Sequence, residues 1–164
     1  MELWTLADQQ TNKAISQNLE YMFDDLQRET QENDVINLLG VEFYSEIMQS
    51  LQLEDEKFDT FLEGGIFYEG DITIHFRGLK YICCYLLYAN YIRVSYIQDT
   101  FSGFMMNQPE GQQRISGKTL DSLANQYKQI AGTQYDLCKR YLVATGISTY
   151  FPNKARKSFK INAL

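Results

Sequence analysis

Few residues in this chain are of a type that does covalent chemistry, and their spacing keeps them apart. It has one histidine, His75, and three cysteines, Cys83, Cys84 and Cys138. Catalysis by an imidazole needs a partner at useful spacing. Here Ile72, Ile74 and Phe76 alternate with Thr73 and His75, which places the imidazole on the polar side of an extended segment. A surface histidine is expected. Adjacent Cys83 and Cys84 are no metal motif with a single histidine available, and an odd cysteine count without framework spacing points to free, buried thiols in a reducing compartment. The acid pair Asp24-Asp25 sits on a helical pattern, where neighbours point about 100° apart instead of converging. The stretch ISGKT at 115–119 has the look of the end of a phosphate loop, yet no glycine precedes it at the required spacing and no strand is expected before it. GxSxG, HExxH and Cys-x-x-Cys are absent from the sequence. The expectation is a protein that is not an enzyme and uses no metal or cofactor.

What remains to carry function is surface, and charge divides it unevenly. Residues 1–75 hold 17 acidic and 3 basic side chains, a balance of −14, whereas residues 76–164 hold 4 and 12, a balance of +8. One reading is two solvated faces; the other is that the acidic part of one copy meets the basic part of another, a head-to-tail contact that can close into a ring. Nucleic-acid readout is weakly supported, because the net charge is −6 and the bases of 76–140 are scattered.

The elements that position this surface are helical. The length of 164 residues fits one domain, here 1–146, followed by an arm at 147–164. Apolar spacing predicts a helix over about 11–31 through Ile15, Leu19, Met22, Phe23 and Leu26, then a short helix capped by Asn33 or Asp34, then VEFYSEIMQSLQL after Gly40. EDEKFDT at 54–60 reads as a charged step. Turn signals at Gly64-Gly65 and Glu69-Gly70-Asp71 bracket Ile66, Phe67 and Tyr68, so a β-hairpin or flap is expected at about 62–76. The run 79–97 is interrupted by Lys80, Asn90 and Arg93, which favours a core helix over a membrane span. A last helix from about Ser116 to Thr145 shows a stripe of Leu120, Leu123, Tyr127, Ile130, Gln134, Cys138 and Tyr141. The fold class expected is mainly α: an antiparallel helical bundle with a small β-hairpin, a long inter-helix loop and an extended C-terminal arm. The N-terminal MELWTLADQQ has neither a basic start nor an apolar run, so no signal peptide is expected.

Two segments carry apolar side chains where solvent would favour polar ones. The loop at about 99–117 holds Phe101, Phe104, Met105 and Met106, with Arg114 as its cation. Those residues either insert into a neighbouring molecule or fold back over the bundle end. The arm offers Lys154, Arg156, Lys157 and Lys160 interleaved with Phe151, Phe159 and Ile161. A frayed terminus has no need of those aromatics, and an arm that orders on a partner is favoured. Phe101, Phe104, Met105, Met106, Arg114, Lys154, Arg156, Lys157, Phe159 and Lys160 are the candidate interface residues.

The order of LLGVEFYSEI, the glycine-containing FLEGGIFYEGDITIHF, GLKYICCYLLYANYI followed by DTFSG, and DLCKRYL resembles the helical head-to-tail connector proteins of tailed bacteriophages, in particular crAss-like and related phages of Bacteroidetes. The resemblance spans about residues 10–145 and none of its motifs is catalytic. It implies a virion protein assembled in the host cytoplasm into a homo-oligomeric ring of about twelve copies. That ring would sit beneath the portal protein at one capsid vertex, pass genomic DNA without sequence preference, and offer a platform to neighbouring tail proteins. Alternatives are a tail-completion or stopper ring, and a small cytoplasmic helical regulatory module.

Overall fold

A computed structural model describes residues 2–13, 15–95, 97–100, 103–106 and 117–147, with backbone alone at 17, 18, 97–100 and 103–106. The chain opens with α1 (Leu6–Asn12), closed at its start by a reciprocal cap between Thr5 and Asp8. The single helix expected over 11–31 is instead two: Lys13 is extended, and the Ser16 hydroxyl accepts from the Leu19 amide at 3.3 Å to start α2 (Gln17–Thr30). Ile15 therefore lies between helices, and Met22 is exposed, while Leu19, Phe23 and Leu26 are buried as their spacing requires. Asn33 and Asp34 cap nothing. The backbone runs on through a π-helical turn (Gln31–Val35) into α3 (Ile36–Leu39), and Gly40 separates that from α4 (Val41–Gln52). The charged step also folds: Asp55 accepts from the Lys57 amide at 3.1 Å, nucleating a 3-10 turn (Glu56–Phe58) and α5 (Asp59–Glu63). Phe58, Phe61 and Leu62 drive it, because all three are buried, two of them edge-on to Phe43.

Helices α6 (Gly78–Val94) and α7 (Gly117–Thr145) form the central antiparallel pair. At one end Arg93 donates to the Asn125 amide oxygen at 3.0 Å; at the other the Phe76 ring, just before α6, stacks on Tyr141 at 4.7 Å. The seam on α7 is turned from the expected stripe. Ala124, Ala131, Tyr135, Cys138 and Leu142 are buried, whereas Leu123 and Ile130 are 39% and 40% exposed. Alanines let two backbones approach closely, so the small residues take the contact line and the larger ones flank it. The N-terminal helices cover the other side of α6, where Leu19, Phe23, Leu26, Val35, Phe43 and Ile47 share one core with Leu79, Ile82, Cys83 and Leu87. The fold is mainly α, an antiparallel bundle with a small β-hairpin. No helix among the described residues is long and apolar enough to cross a membrane.

Two hairpins flank α6. Strands β1 (Gly65–Glu69) and β2 (Ile72–Phe76) pair antiparallel with Phe67 opposite Ile74. The second hairpin corrects the expectation of an irregular loop. Helix α6 ends at Val94, and β3 (Ile97–Thr100) pairs with β4 (Gly103–Met106), Thr100 opposite Gly103. Only Phe101 and Ser102 separate the strands, and Ile97, Thr100 and Phe104 are strand-favouring types. Phe104, Met105 and Met106 thus lie on a paired strand. Phe101, Arg114, the Ser116 cap and the whole arm with Lys154, Arg156, Lys157, Phe159 and Lys160 lie outside the described residues.

Candidate interaction surfaces

The first hairpin is fixed to the bundle by its inner face. Phe67 and Phe76 are buried there, and Phe67 meets Phe76 and Tyr141 edge-on at 5.8 and 5.9 Å. Arg140 on α7 grips Glu69 through two of its guanidinium nitrogens, Nε and Nη2, at 3.0 and 2.7 Å. At the base of the hairpin the backbones of Gly64 and Gly78 touch, so neither position has room for a Cβ. With one face held this firmly, the opposite face is left to solvent: Ile66 is 51% exposed and Tyr68 69%, while Ile72, on the inner face but beyond the bundle at the turn, is 64% exposed. Register puts Ile66 opposite His75 and Tyr68 opposite Thr73, so a largely apolar patch carries the chain's single histidine on its border. Beside it a cleft of about 400 Å³ is lined by Glu63, Ile66, His75, Arg77 and Gln134.

The second hairpin follows α6 directly, whereas the first precedes it, so the two lie at opposite ends of a helix about 25 Å long. Among the described residues each is a two-stranded sheet with no further strand on its edges. Such ribbons are marginal alone and invite further pairing.

The structure places part of the charge asymmetry inside the molecule. Lys128 on α7 donates to Asp34 at 2.9 Å, and Asn90 on α6 donates to Asp34 at 2.6 Å and to Thr30 at 3.0 Å. Lys80 pairs with Glu63 and, at 3.7 Å, with Asp8. These bases of the second half therefore neutralise acids of the first. The exposed acids of α2 and the π turn, Glu20, Asp24, Asp25, Glu29 and Glu32, have no ion pair among the described residues. Tyr21, 89% exposed, stands among them.

The titratable groups inside the bundle are arranged for packing. Burial pushes the Cys84 and Cys138 thiols up to about 12, and the Cys83 thiol well above its usual value, so all three stay protonated near neutrality. Burial also raises the Tyr135 hydroxyl to about 12. Lys13 donates to the Tyr127 hydroxyl at 3.0 Å and sits 4.8 and 4.6 Å from the Tyr88 and Tyr127 ring centres; that hydrogen bond raises its pKa. Among the described residues no group of three or more His, Cys, Asp or Glu side chains could hold a metal ion.

The described surface thus centres on residues the sequence reading did not single out as an interface: Ile66, Tyr68, Ile72 and Tyr21. A signal existed. In IFYEGDITI, both residue sets of the alternation are apolar, more than one buried face needs. The sequence model of a family of unknown function, DUF6712, matches residues 35–160, and the chain belongs to that family. No curated protein and no solved structure matches it.

Proposed function

We propose that this member of the family is a structural subunit that works through its interfaces, forming a head-to-tail connector ring beneath the portal of a tailed phage. The observation that carries the reading is the outer face of the first hairpin. Two large apolar side chains, Ile66 and Tyr68, are held in the open by the packed rings of Phe67, Phe76 and Tyr141 behind them, and Ile72 adds a third exposed one at the turn. A monomer gains nothing from that arrangement, and exposed apolar clusters of this kind mark contact sites. A second hairpin at the far end of α6 gives the subunit two different ends, as a heterologous ring contact requires. The resemblance in LLGVEFYSEI and GLKYICCYLLYANYI supplies the place in the virion, where the ring would line the DNA exit channel and seat the tail proteins.

The test is direct imaging of the particles with which the chain co-purifies. A ring of about twelve copies at a single capsid vertex is the expected result. A chain absent from every particle would refute the reading.

A further inference from the structure

The helix α2 presents a face that none of the described residues covers. Tyr21, Asp25, Arg28 and Glu32 follow one another at i, i+4, i+7 and i+11, so they form one stripe. At its far end the stripe enters a cleft of about 420 Å³, which Arg28 and Glu32 line together with Glu2, Tyr44 and Met48. Tyr44 and Met48 are partly buried there, and Gln31 holds the Tyr44 hydroxyl at 2.7 Å. The surface therefore combines an exposed aromatic, carboxylates without an ion pair among the described residues, one guanidinium and a cleft with a partly apolar wall.

We propose that this face of α2 is the docking surface for the segment 150–161 of a neighbouring copy of the chain. The proposal rests on the ring reading for the arm's reaching a neighbour in preference to its own bundle. Charge complementarity argues for the occupant. After Asp136 the sequence contains no acidic side chain, and Lys154, Arg156, Lys157 and Lys160 fall within seven residues. Against them stand Glu20, Asp24, Asp25, Glu29 and Glu32, offset by Arg28 alone. The arm also matches in kind. Phe151, Phe159 and Ile161 are the apolar groups that Tyr44 and Met48 could cover, and a guanidinium or ammonium finds a ring face at Tyr21.

Chain length and position bring an α2 face within the arm's reach. Helix α7 ends at Thr145, at the end of the bundle where Tyr141 stacks on the first hairpin. Helix α2 sits toward the other end, where Ser16 meets the Tyr91 hydroxyl at 2.7 Å and Thr30 meets Asn90 at 3.0 Å. The separation along α7 from Lys128 to Thr145 is about 25 Å, and a chain as long as the sequence after Thr145 can span at most about 60 Å, so the ring reading is what assigns the arm to a neighbour. An arm that leaves one end and a receiving face near the other produce a heterologous contact, which repeats from copy to copy and closes into a ring.

The test uses full-length chains with reversed charge. One variant carries Asp24→Lys, Asp25→Lys and Glu29→Lys, all at exposed positions of α2; the other carries Lys154→Glu, Arg156→Glu and Lys157→Glu. Circular dichroism verifies that both fold, and sedimentation equilibrium reads association. The parent chain is expected to associate, about tenfold or more weakly when salt is raised from 0.05 to 0.5 M. Each variant alone is expected to be monomeric, since its arm and its α2 face then repel. An equimolar mixture is expected to associate, because each arm again meets an α2 face of opposite charge. A monomeric parent, variants that associate alone as the parent does, or a mixture that stays dissociated would each overturn the proposal. The imaging of particles decides the ring reading separately: a ring joined only through the hairpins would leave that reading standing and this one refuted.

Discussion

The contact between Gly64 and Gly78 fixes how the first hairpin meets the bundle, and a single methyl group tests it. Gly78 has φ +73°, and a Cβ there would lie 2.5 Å from the Glu63 carbonyl carbon and the Leu62 oxygen, with the Gly64 nitrogen closer still. All three are backbone atoms, so no side chain can swing aside. Gly70, in the turn between β1 and β2, has φ +61° but nothing within 4 Å of its Cβ position. Gly70→Ala therefore carries only the left-handed backbone cost, about 1–2 kcal/mol. Gly78→Ala carries the same cost plus the strain of forcing two backbones apart, about 1–3 kcal/mol, for a total of about 2–5 kcal/mol. In a domain of this size each kcal/mol lowers Tm by about 2–4 °C. Urea and thermal unfolding should thus separate the two variants clearly, and hydrogen exchange in β1 and β2 should rise in Gly78→Ala. Equal destabilisation by both substitutions would show that the close approach does not anchor the hairpin.

Replacing Tyr68 by Lys and Ile66 by Glu on the outer hairpin face should leave the unfolding midpoint within about 0.5 kcal/mol of the parent while abolishing incorporation into particles; normal incorporation would remove that face from the interface. Asp34→Ala should cost about 1–3 kcal/mol, because it leaves Lys128 and Asn90 without their shared acceptor. A double-mutant cycle with Lys128→Met in urea should return a coupling of at least about 0.5 kcal/mol, and a value near zero would mean that the pair does not join α7 to the π turn. The thiols make stability fall with alkaline pH. Their folded pKa values lie above the unfolded value near 9, so from pH 9 toward 12 the unfolded chain sheds protons that the native chain keeps. The unfolded state is favoured by up to about 1.4 kcal/mol per pH unit for each such thiol. Unfolding free energies measured from pH 8 to 11 should therefore drop less steeply in Cys84→Ala and Cys138→Ala, and unchanged slopes would refute the assignment.

How much of this was legible in the sequence depends on what each residue is buried against. The core of α6 could be read from GLKYICCYLLYANYI because it is apolar on nearly every side, and no rotation error can misplace it. The stripe of α7 could not be read as well. Its contact line runs through Ala124 and Ala131, which score as weakly apolar beside Leu123 and Ile130, yet their small size is what lets the two helices close. Similarly, Ser16 divides two helices through one hydroxyl, and a periodicity count over 11–31 does not register a cap.

The interface was the least legible part, for a related reason. Periodicity reports how apolar a position is, whereas an interface is defined by an apolar position that the fold fails to cover. Phe67 and Tyr68 are neighbours of similar character; one is 5% exposed and the other 69%, and only the stack with Phe76 and Tyr141 decides which. The same holds for charge. The sequence places 17 acids before residue 76, but the fold joins Asp8, Asp34, Glu63 and Glu69 to bases of α6 and α7, while those of α2 have no ion pair among the described residues. What the chain offers a partner is thus the remainder after its own folding has taken its share, which is why the uncovered hairpin face and the bare α2 stripe, and not the totals, carry the functional argument.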